Sequence, residues 1–416
     1  MGAYARLNKF NGNILVSQHG RILFQRAYGF KDIEAGKKNS LTDIFQLASL
    51  TKTFTAALLL KLMEEGKLSV NTRVTDYFPD FHPDKPITVG QLLSHTAGVY
   101  EILRNPAASK EGAMYSAVSR EKLLSYFYTQ PLDFEPGTQF SYSNSGYVLL
   151  GIIIEKVTGL PYGQAVKKYL FTPLGMKHSG YDYARLRSNH KTQSYNYIFN
   201  TRHTKATVWN ASFTFAAGGL YSSLGDLYKW SKALNENKFI TSKSLAAAQQ
   251  EQQKGYGYGW FIDSLQAKKV VYHPGNLEGA TSYFAMIPAD DICLIMLNNK
   301  TSTTLEAIGN KLIAILYNKP YTLPKPKKAT QLTDSLLTRY SGEYDISEDY
   351  RVSIKKQENF LYLFINQEQP VQLFPENENR FFIPDSEMSL VFKSKKEGGI
   401  QLTILDGLAR KSGAKK

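Results

Sequence analysis

From Leu47 to Met63 the chain is apolar or small at nearly every position, and Lys52 and Lys61 are its only charges. A helix that is hydrophobic all round has no face to give to water and belongs at the centre of a fold. That makes Lys52 the odd residue, because an unpaired ammonium in a core is strongly disfavoured. Ser49 stands three residues earlier, so at the start of a helix the two share a face, one turn apart. On this stretch alone two readings are open. Either Ser49 caps the helix while Lys52 snorkels to the surface, or Ser49 is a nucleophile that Lys52 helps to deprotonate.

With 416 residues the chain exceeds one ordinary domain and suggests two. Hydrophobic residues make up 43% of it, ample for a core, yet no apolar run is long enough to span a membrane. The nearest, Tyr147 to Ile154, is broken by Gly151 and followed by Glu155 and Lys156. The start, Met1-Gly2-Ala3-Tyr4, shows no signal peptide. The single Cys293 excludes an internal disulfide and reads as a small core side chain. A net charge of +14 would permit binding to nucleic acid, anionic lipid or an anionic cell-wall polymer. The lysines are dispersed, however, and dense only at Lys325-Lys327-Lys328, Lys393-Lys395-Lys396 and Arg410-Lys411-Lys415-Lys416. With no basic recognition helix and no zinc-ligand spacing, these read as solvated faces and a loose tail. No nucleic-acid partner is expected.

Taken in order, Asn13 to Ser17 and Ile22 to Ala27 read as a hairpin, and the Ser49 helix runs to about Glu65 with Gly66 as its stop. Residues 101 to 115 lack periodicity and suggest an exposed loop. Tyr147 to Val157 and Leu224 to Leu234 read as helices. Tyr256 to Phe261, Val270 to His273, Ser282 to Ile287 and Ile292 to Asn298 read as an antiparallel meander closed by a helix over Thr303 to Tyr317. Strands at both ends and helices between them predict an antiparallel sheet flanked by helices, an α/β domain with a helical insertion over residues 1–318. Prolines among lysines mark a linker over 319–330. Seven short β runs over 331–416, separated by polar turns, predict a small all-β, barrel-like domain.

Three further pieces bear on Ser49. Tyr142-Ser143-Asn144 lies in a turn just before a helix. His273-Pro274-Gly275 ends a strand, where Gly275 would let a substrate approach the backbone. Gln91 to Gly98 forms a glycine-ended turn expected to pack beneath the site. Taken singly, Tyr142 reads as well as an interface aromatic, and His273 as a hydrogen-bonded strand end. Their joint order closely resembles the serine β-lactamase and penicillin-binding-protein superfamily, in its class C, carboxypeptidase and esterase branch. Ser49-Leu50-Thr51-Lys52 matches Ser-x-x-Lys, Tyr142-Ser143-Asn144 matches Tyr-x-Asn, and His273-Pro274-Gly275 falls where that family has Lys-Thr-Gly or His-x-Gly. Leu92 to Gly98 and Ala217 to Ser222 extend the likeness, which covers roughly Asn11 to Tyr317.

The resemblance implies that Ser49 is acylated by a small-molecule or short peptide substrate, with Lys52 and Tyr142 sharing the proton work. A free tyrosine has a pKa near ~10, so Tyr142 would need the Lys52 cation to act as phenolate near neutrality. The backbone N–H groups of Ser49 and Asn276 would form an oxyanion hole, and Asn144 would orient Lys52 and the substrate amide. Neither metal nor cofactor is implied. The departure is His273, which stands in place of the lysine that fixes a substrate carboxylate, with Pro274 for the usual threonine. Histidine titrates near ~6.5, so a conditional cation facing the substrate is expected there. Efficient β-lactam hydrolysis is put in doubt, while D-aminopeptidases and esterases share the His-x-Gly form. The expected activity is hydrolysis of small amides or esters such as D-amino-acid peptides, with a poorly turning-over sensor or a weak class C-like β-lactamase as alternatives. The resemblance also implies a periplasmic or secreted location, and a lipocalin-like likeness for the C-terminal domain.

Overall fold

The computed structural model describes residues 1–199, 202–302, 304–347, 350–365, 371–383, 386, 388–395, 399–406 and 409–415. Thr303, Lys396 and Lys416, named above, lie outside them. Two compact units are present. One comprises Phe10–Thr301 and Leu316–Asn318 with Met1; the other comprises Gly2–Lys9, Ser302–Ile315 and Lys319–Lys416.

The first unit is built on a six-stranded antiparallel sheet drawn from both ends of its sequence. Strands β1 (Gly12–Gln18) and β2 (Arg21–Ala27) precede the helical part. Strands β3 (Phe261–Leu265), β4 (Lys268–Leu277), β5 (Ala280–Ile287) and β6 (Ile292–Asn298) follow it. The order is β3-β4-β5-β6-β1-β2, so the last strand lies beside the first, with Gly12 opposite Asn298. Strands β5 and β6 are buried at every position, which explains why their sequences run apolar without alternation. At the edge, β2 is largely exposed and carries Arg21, Gln25 and Arg26, side chains that discourage further pairing.

Helix α1 (Thr51–Glu64) is the central helix, with eleven of its 14 residues buried. It packs against α2 (Asn144–Thr158) and α3 (Ala211–Gly218). Close approach of the last two depends on Gly151, where a Cβ would come within 2.5 Å of the Ala216 methyl. Ser49 lies in a 3₁₀ turn, Ala48–Leu50, that feeds this helix. Residues 101–115 are not the loop expected from the sequence. They hold two short turns, Ile102–Arg104 and Pro106–Lys110, capped by the side chains of Glu101 and Asn105, with Ile102 and Ala108 buried. Side-chain caps of this kind leave no hydrophobic period in a sequence. The hairpin of Tyr195–Phe199 with Arg202–Lys205 has no counterpart among the expected strands either.

In the second unit β7 (Gly342–Ser347), β8 (Tyr350–Gln357), β9 (Phe360–Ile365), β10 (Val371–Pro375), β11 (Arg380–Phe382), β12 (Ser389–Ser394), β13 (Ile400–Asp406) and β14 (Ala409–Lys415) close a barrel. The eighth strand corrects the reading of Arg410 to Lys415 as a loose tail. It pairs with β13 from Gln401↔Ala414 to Asp406↔Ala409, and with β7 at Tyr344↔Lys415. Its partners are backbone groups, so a basic sequence is no obstacle. Helix Asp334–Tyr340 adds Leu337 and Tyr340 to the barrel core, where Tyr340 stacks on Phe392 at 4.4 Å. Side chains such as Val352, Leu363, Phe381 and Leu402 fill the interior, as a barrel of this strand number allows.

Candidate active site

The 3₁₀ turn holding Ser49 is pinned from two sides. Leu47 donates its N–H to the Leu220 carbonyl at 2.9 Å, and its own carbonyl accepts from Ser282 Oγ at 2.7 Å. Ala48 sits at a φ of 51°, a left-handed conformation costly for a residue with a Cβ and held only by surrounding structure. Ser49 itself is half-buried at the turn. One helical turn on, Lys52 is wholly buried. Its Nζ lies 3.1 Å from Ser49 Oγ, 2.8 Å from Asn144 Oδ1 and 2.8 Å from the Ala217 carbonyl oxygen. The Ala217 carbonyl is available because it belongs to the last turn of α3, which ends at Gly218 and whose carbonyls have no partner within the helix. Burial pushes the Lys52 ammonium down to about 7, against the Glu101 carboxylate, which raises it.

Tyr142 lies beside this pair, with Lys52 Nζ 4.8 Å from its ring centroid. Desolvation raises its pKa above the ordinary tyrosine value; a hydrogen bond with Ser49 lowers it and Glu101 raises it further. Tyr142 is therefore a neutral phenol near neutrality, and the phenolate expected from the sequence is not favoured. The turn Gln91 to Gly98 does pack beneath it. The His95 ring lies 4.2 Å from that of Tyr142, its Nδ1 accepts from the Ser143 N–H at 3.1 Å, and its carbonyl accepts from the Ser141 N–H at 3.0 Å.

Asn144 opens α2, and its amide is oriented by a residue from the stretch expected to be a loop. Glu101 Oε2 accepts from the Asn144 backbone N–H at 2.5 Å, and Oε1 accepts from Asn144 Nδ2 at 2.9 Å. Nothing in the spacing around Glu101 points to this; the one signal is an acidic residue between the His95-to-Gly98 turn and buried Ile102.

The third predicted element behaves differently from expectation. His273 is buried; its Nε2 is 3.1 Å from Tyr256 Oη and its Nδ1 is 2.6 Å from the Pro274 carbonyl. Burial, reinforced by the nearby Lys52 charge, pushes its imidazole down to about 3, although the Pro274 hydrogen bond raises it. The conditional cation is thus replaced by a neutral ring under the sheet end. Gly275 is needed not only for a substrate: a Cβ there would lie 2.1 Å from the Leu47 carbonyl oxygen and 2.3 Å from Ser282 Oγ. Strand β4 pairs with β3 only as far as Tyr272, so its end from His273 onward lies against the Ser49 turn instead. Asn276 follows, exposed, and lines the same cavity as Ser49.

That cavity has a volume of about 80 Å³ and is mostly apolar, with Ile102, Val148, Trp209, Phe213 and Ala217 in its wall. Among the described residues no charged side chain lines it. Among the described residues no three His, Cys, Asp or Glu side chains are grouped to hold a metal, and no helix is long and apolar enough to cross a membrane. Cys293 is buried on β6, its thiol pushed up to about 12 by desolvation.

Comparison with known proteins fits this geometry. A family model described as Beta-lactamase matches residues 7–318. Penicillin-binding protein 4* of Bacillus subtilis (strain 168) is 28% identical over 404 residues, a match covering 90% of this chain and 88% of that protein. The solved structure of an octameric penicillin-binding protein homologue from Pyrococcus abyssi superposes with a TM-score of 0.67 at 25% identity, covering 99% of this chain and 97% of that one. A D-stereospecific amidohydrolase from Streptomyces sp. superposes with a TM-score of 0.62 at 26% identity, covering 72% and 94%.

Proposed function

The chain belongs to the β-lactamase family, and from that premise we propose that it is a serine hydrolase forming an acyl-enzyme on Ser49. The observation that carries the reading is the set of partners around Lys52 Nζ. Two of them, Asn144 Oδ1 and the Ala217 carbonyl, can only accept hydrogen bonds. A neutral amine has two N–H bonds and one lone pair. With both N–H bonds donated to those oxygens, the lone pair is left for the third partner, the Ser49 hydroxyl at 3.1 Å.

With a carbonyl in the cavity, Ser49 Oγ attacks while Lys52 takes its proton. The resulting oxyanion is received in this reading by the backbone N–H groups of Ser49 and Asn276, two residues that line the same cavity. The Lys52 ammonium then returns the proton to the leaving amine or alkoxide, directly or across the neutral Tyr142 hydroxyl. A water repeats the sequence in reverse and frees Ser49. Every step uses side chains and backbone of this chain, with no cofactor.

The apolar cavity favours a small apolar side chain on the acyl part of the substrate. Together with the likeness to a D-stereospecific amidohydrolase, this supports amides and esters of small apolar acids, D-amino-acid amides and peptides among them. His273, neutral and turned into the protein, offers no anchor for a substrate carboxylate, so β-lactams are poor substrates in this reading. Given relatives named as penicillin-binding proteins, a periplasmic or secreted site of action is proposed with it, to be checked by cell fractionation. The test of activity is a panel of p-nitrophenyl butyrate, D-alanyl p-nitroanilide and nitrocefin. Steady turnover of the first two, abolished in Ser49→Ala, supports the reading. A single burst followed by no steady state favours the sensor alternative, and no turnover of any of them removes the hydrolase reading.

A further inference from the structure

The carboxylate of Glu101 holds Asn144 by both of its N–H groups and is also reached by the Leu103 N–H at 3.2 Å. We propose that Glu101 is a positioning residue for the reaction: by accepting from Asn144 Nδ2 it forces the amide oxygen toward Lys52, and so aims the lysine lone pair at Ser49. This rests on the reading of Ser49 as the nucleophile.

The argument is one of donors and acceptors. An asparagine amide can turn over with no change of shape, presenting NH₂ where its oxygen was. Turned over, Asn144 would put a donor against Lys52 Nζ, which has two protons to place and would lose one of its two acceptors. An amine left with one acceptor turns, and its lone pair leaves Ser49. A carboxylate at position 101 forbids the flip, because it has only acceptors to offer and both facing groups of Asn144 must then be donors. A glutamine there would not forbid it.

Glu101 also sets the charge around Lys52. The groups facing the amine from neighbouring elements are Tyr142 before α2, Tyr147 on α2, His95 in the turn below, His273 on β4 and Tyr256 ahead of β3. Burial holds both histidines neutral and raises all three tyrosines, so none of them is charged near neutrality. Among the described residues Glu101 is the charge that raises the Lys52 pKa.

The test compares Glu101→Gln with the double variant Glu101→Gln/Asn144→Asp, with kcat/KM for a neutral ester followed from pH 5 to 9. Ser49→Ala serves as control: if it turns over the ester, the nucleophile reading fails, whatever Glu101 does. Glu101→Gln removes an anion and permits the flip. Its kcat is expected to fall on the order of tenfold or more, and the acid limb of its profile to move down by about one pH unit. In the double variant the glutamine donates to the new aspartate and accepts from the backbone N–H of residue 144, which restores an oxygen acceptor facing Lys52. Relative to Glu101→Gln, kcat should recover in part and the acid limb should move up, because the anion is now adjacent to Lys52. A merely structural role would show loss of folded protein with an unmoved limb, and no recovery on combining the changes. If the acid limb of active Glu101→Gln coincides with the wild type and the double variant is no better, the proposal is overturned. Should Glu101→Gln fail to fold, the double variant decides alone: an upward limb supports the proposal, an unmoved one rejects it.

Discussion

At Lys52 the fold does something that the amino-acid pattern could only raise as a question. An amine three residues after a serine, inside an apolar helix, is costly to bury as a cation. Burial resolves that cost by lowering its pKa to about 7, which makes it half neutral at ordinary pH and suited to take a proton from Ser49. For a neutral ester, kcat/KM should therefore rise with pH through a midpoint near 7 in the free enzyme, as the base form accumulates. A midpoint above 9 would assign the base to Tyr142 instead. Lys52→Ala should cost on the order of 10³-fold in kcat/KM. At His273 the charge expected from its position is absent. Held down to about 3, it stays neutral from pH 8 to pH 6, so the ratio of kcat/KM for an anionic ester to that for a neutral one should not change across this range. A ratio that climbs as the pH falls would restore His273 as a substrate-facing cation.

The strand that carries His273 shows which features a sequence can reveal. That β4 exists, and that Gly275 is special, follows from the apolar run and the His-Pro-Gly ending. What Gly275 must avoid is invisible there, because the Leu47 carbonyl and Ser282 Oγ come from opposite ends of the unit. Gly275→Ala has no free volume to enter. It should push the end of β4 off the Ser49 turn, lower stability by about 1–3 kcal/mol and reduce kcat on the order of 100-fold through misplacement of Ser49. Unchanged kcat would mean that the turn is not held by this contact. Ser49, Lys52, Tyr142 and Asn144 were legible because helix starts and short motifs are local. Glu101 and the Ala217 carbonyl were not, because one sits in an aperiodic stretch and the other is a backbone group at a helix end, which no side-chain pattern marks. The last barrel strand was missed for a related reason: backbone pairing left its basic side chains no pattern to display.

The described groups of the site, from Ser49 to Asn276, all belong to the unit built from Phe10–Thr301. The sequence predicts a domain boundary near Asn318; a chain ending there keeps Gly2–Lys9 and Ser302–Ile315, which group with the second unit, and we propose that it is able to work. Truncation after Asn318 should yield soluble protein that hydrolyses p-nitrophenyl esters within about tenfold of the full-length rate, since no group named in the mechanism is removed. Insoluble product, or loss of ester turnover, would show instead that the two units fold as one. Side chains fill the barrel interior, and comparing truncated and intact protein on short peptides measures whether this unit affects turnover of larger substrates.

Acylation of Ser49 with neutral Lys52 as its base is open to a direct test by covalent labelling. The intact protein is treated with a fluorophosphonate, in which a serine oxygen displaces fluoride at phosphorus. The adduct is located by peptide mass spectrometry, and the labelling rate is followed from pH 5 to 9. The predicted result is a single adduct on the peptide bearing Ser49, formed at a rate that rises through a midpoint near 7 and lost in Lys52→Ala. An adduct on another serine, or labelling of Ser49 that Lys52→Ala leaves undiminished, would contradict it.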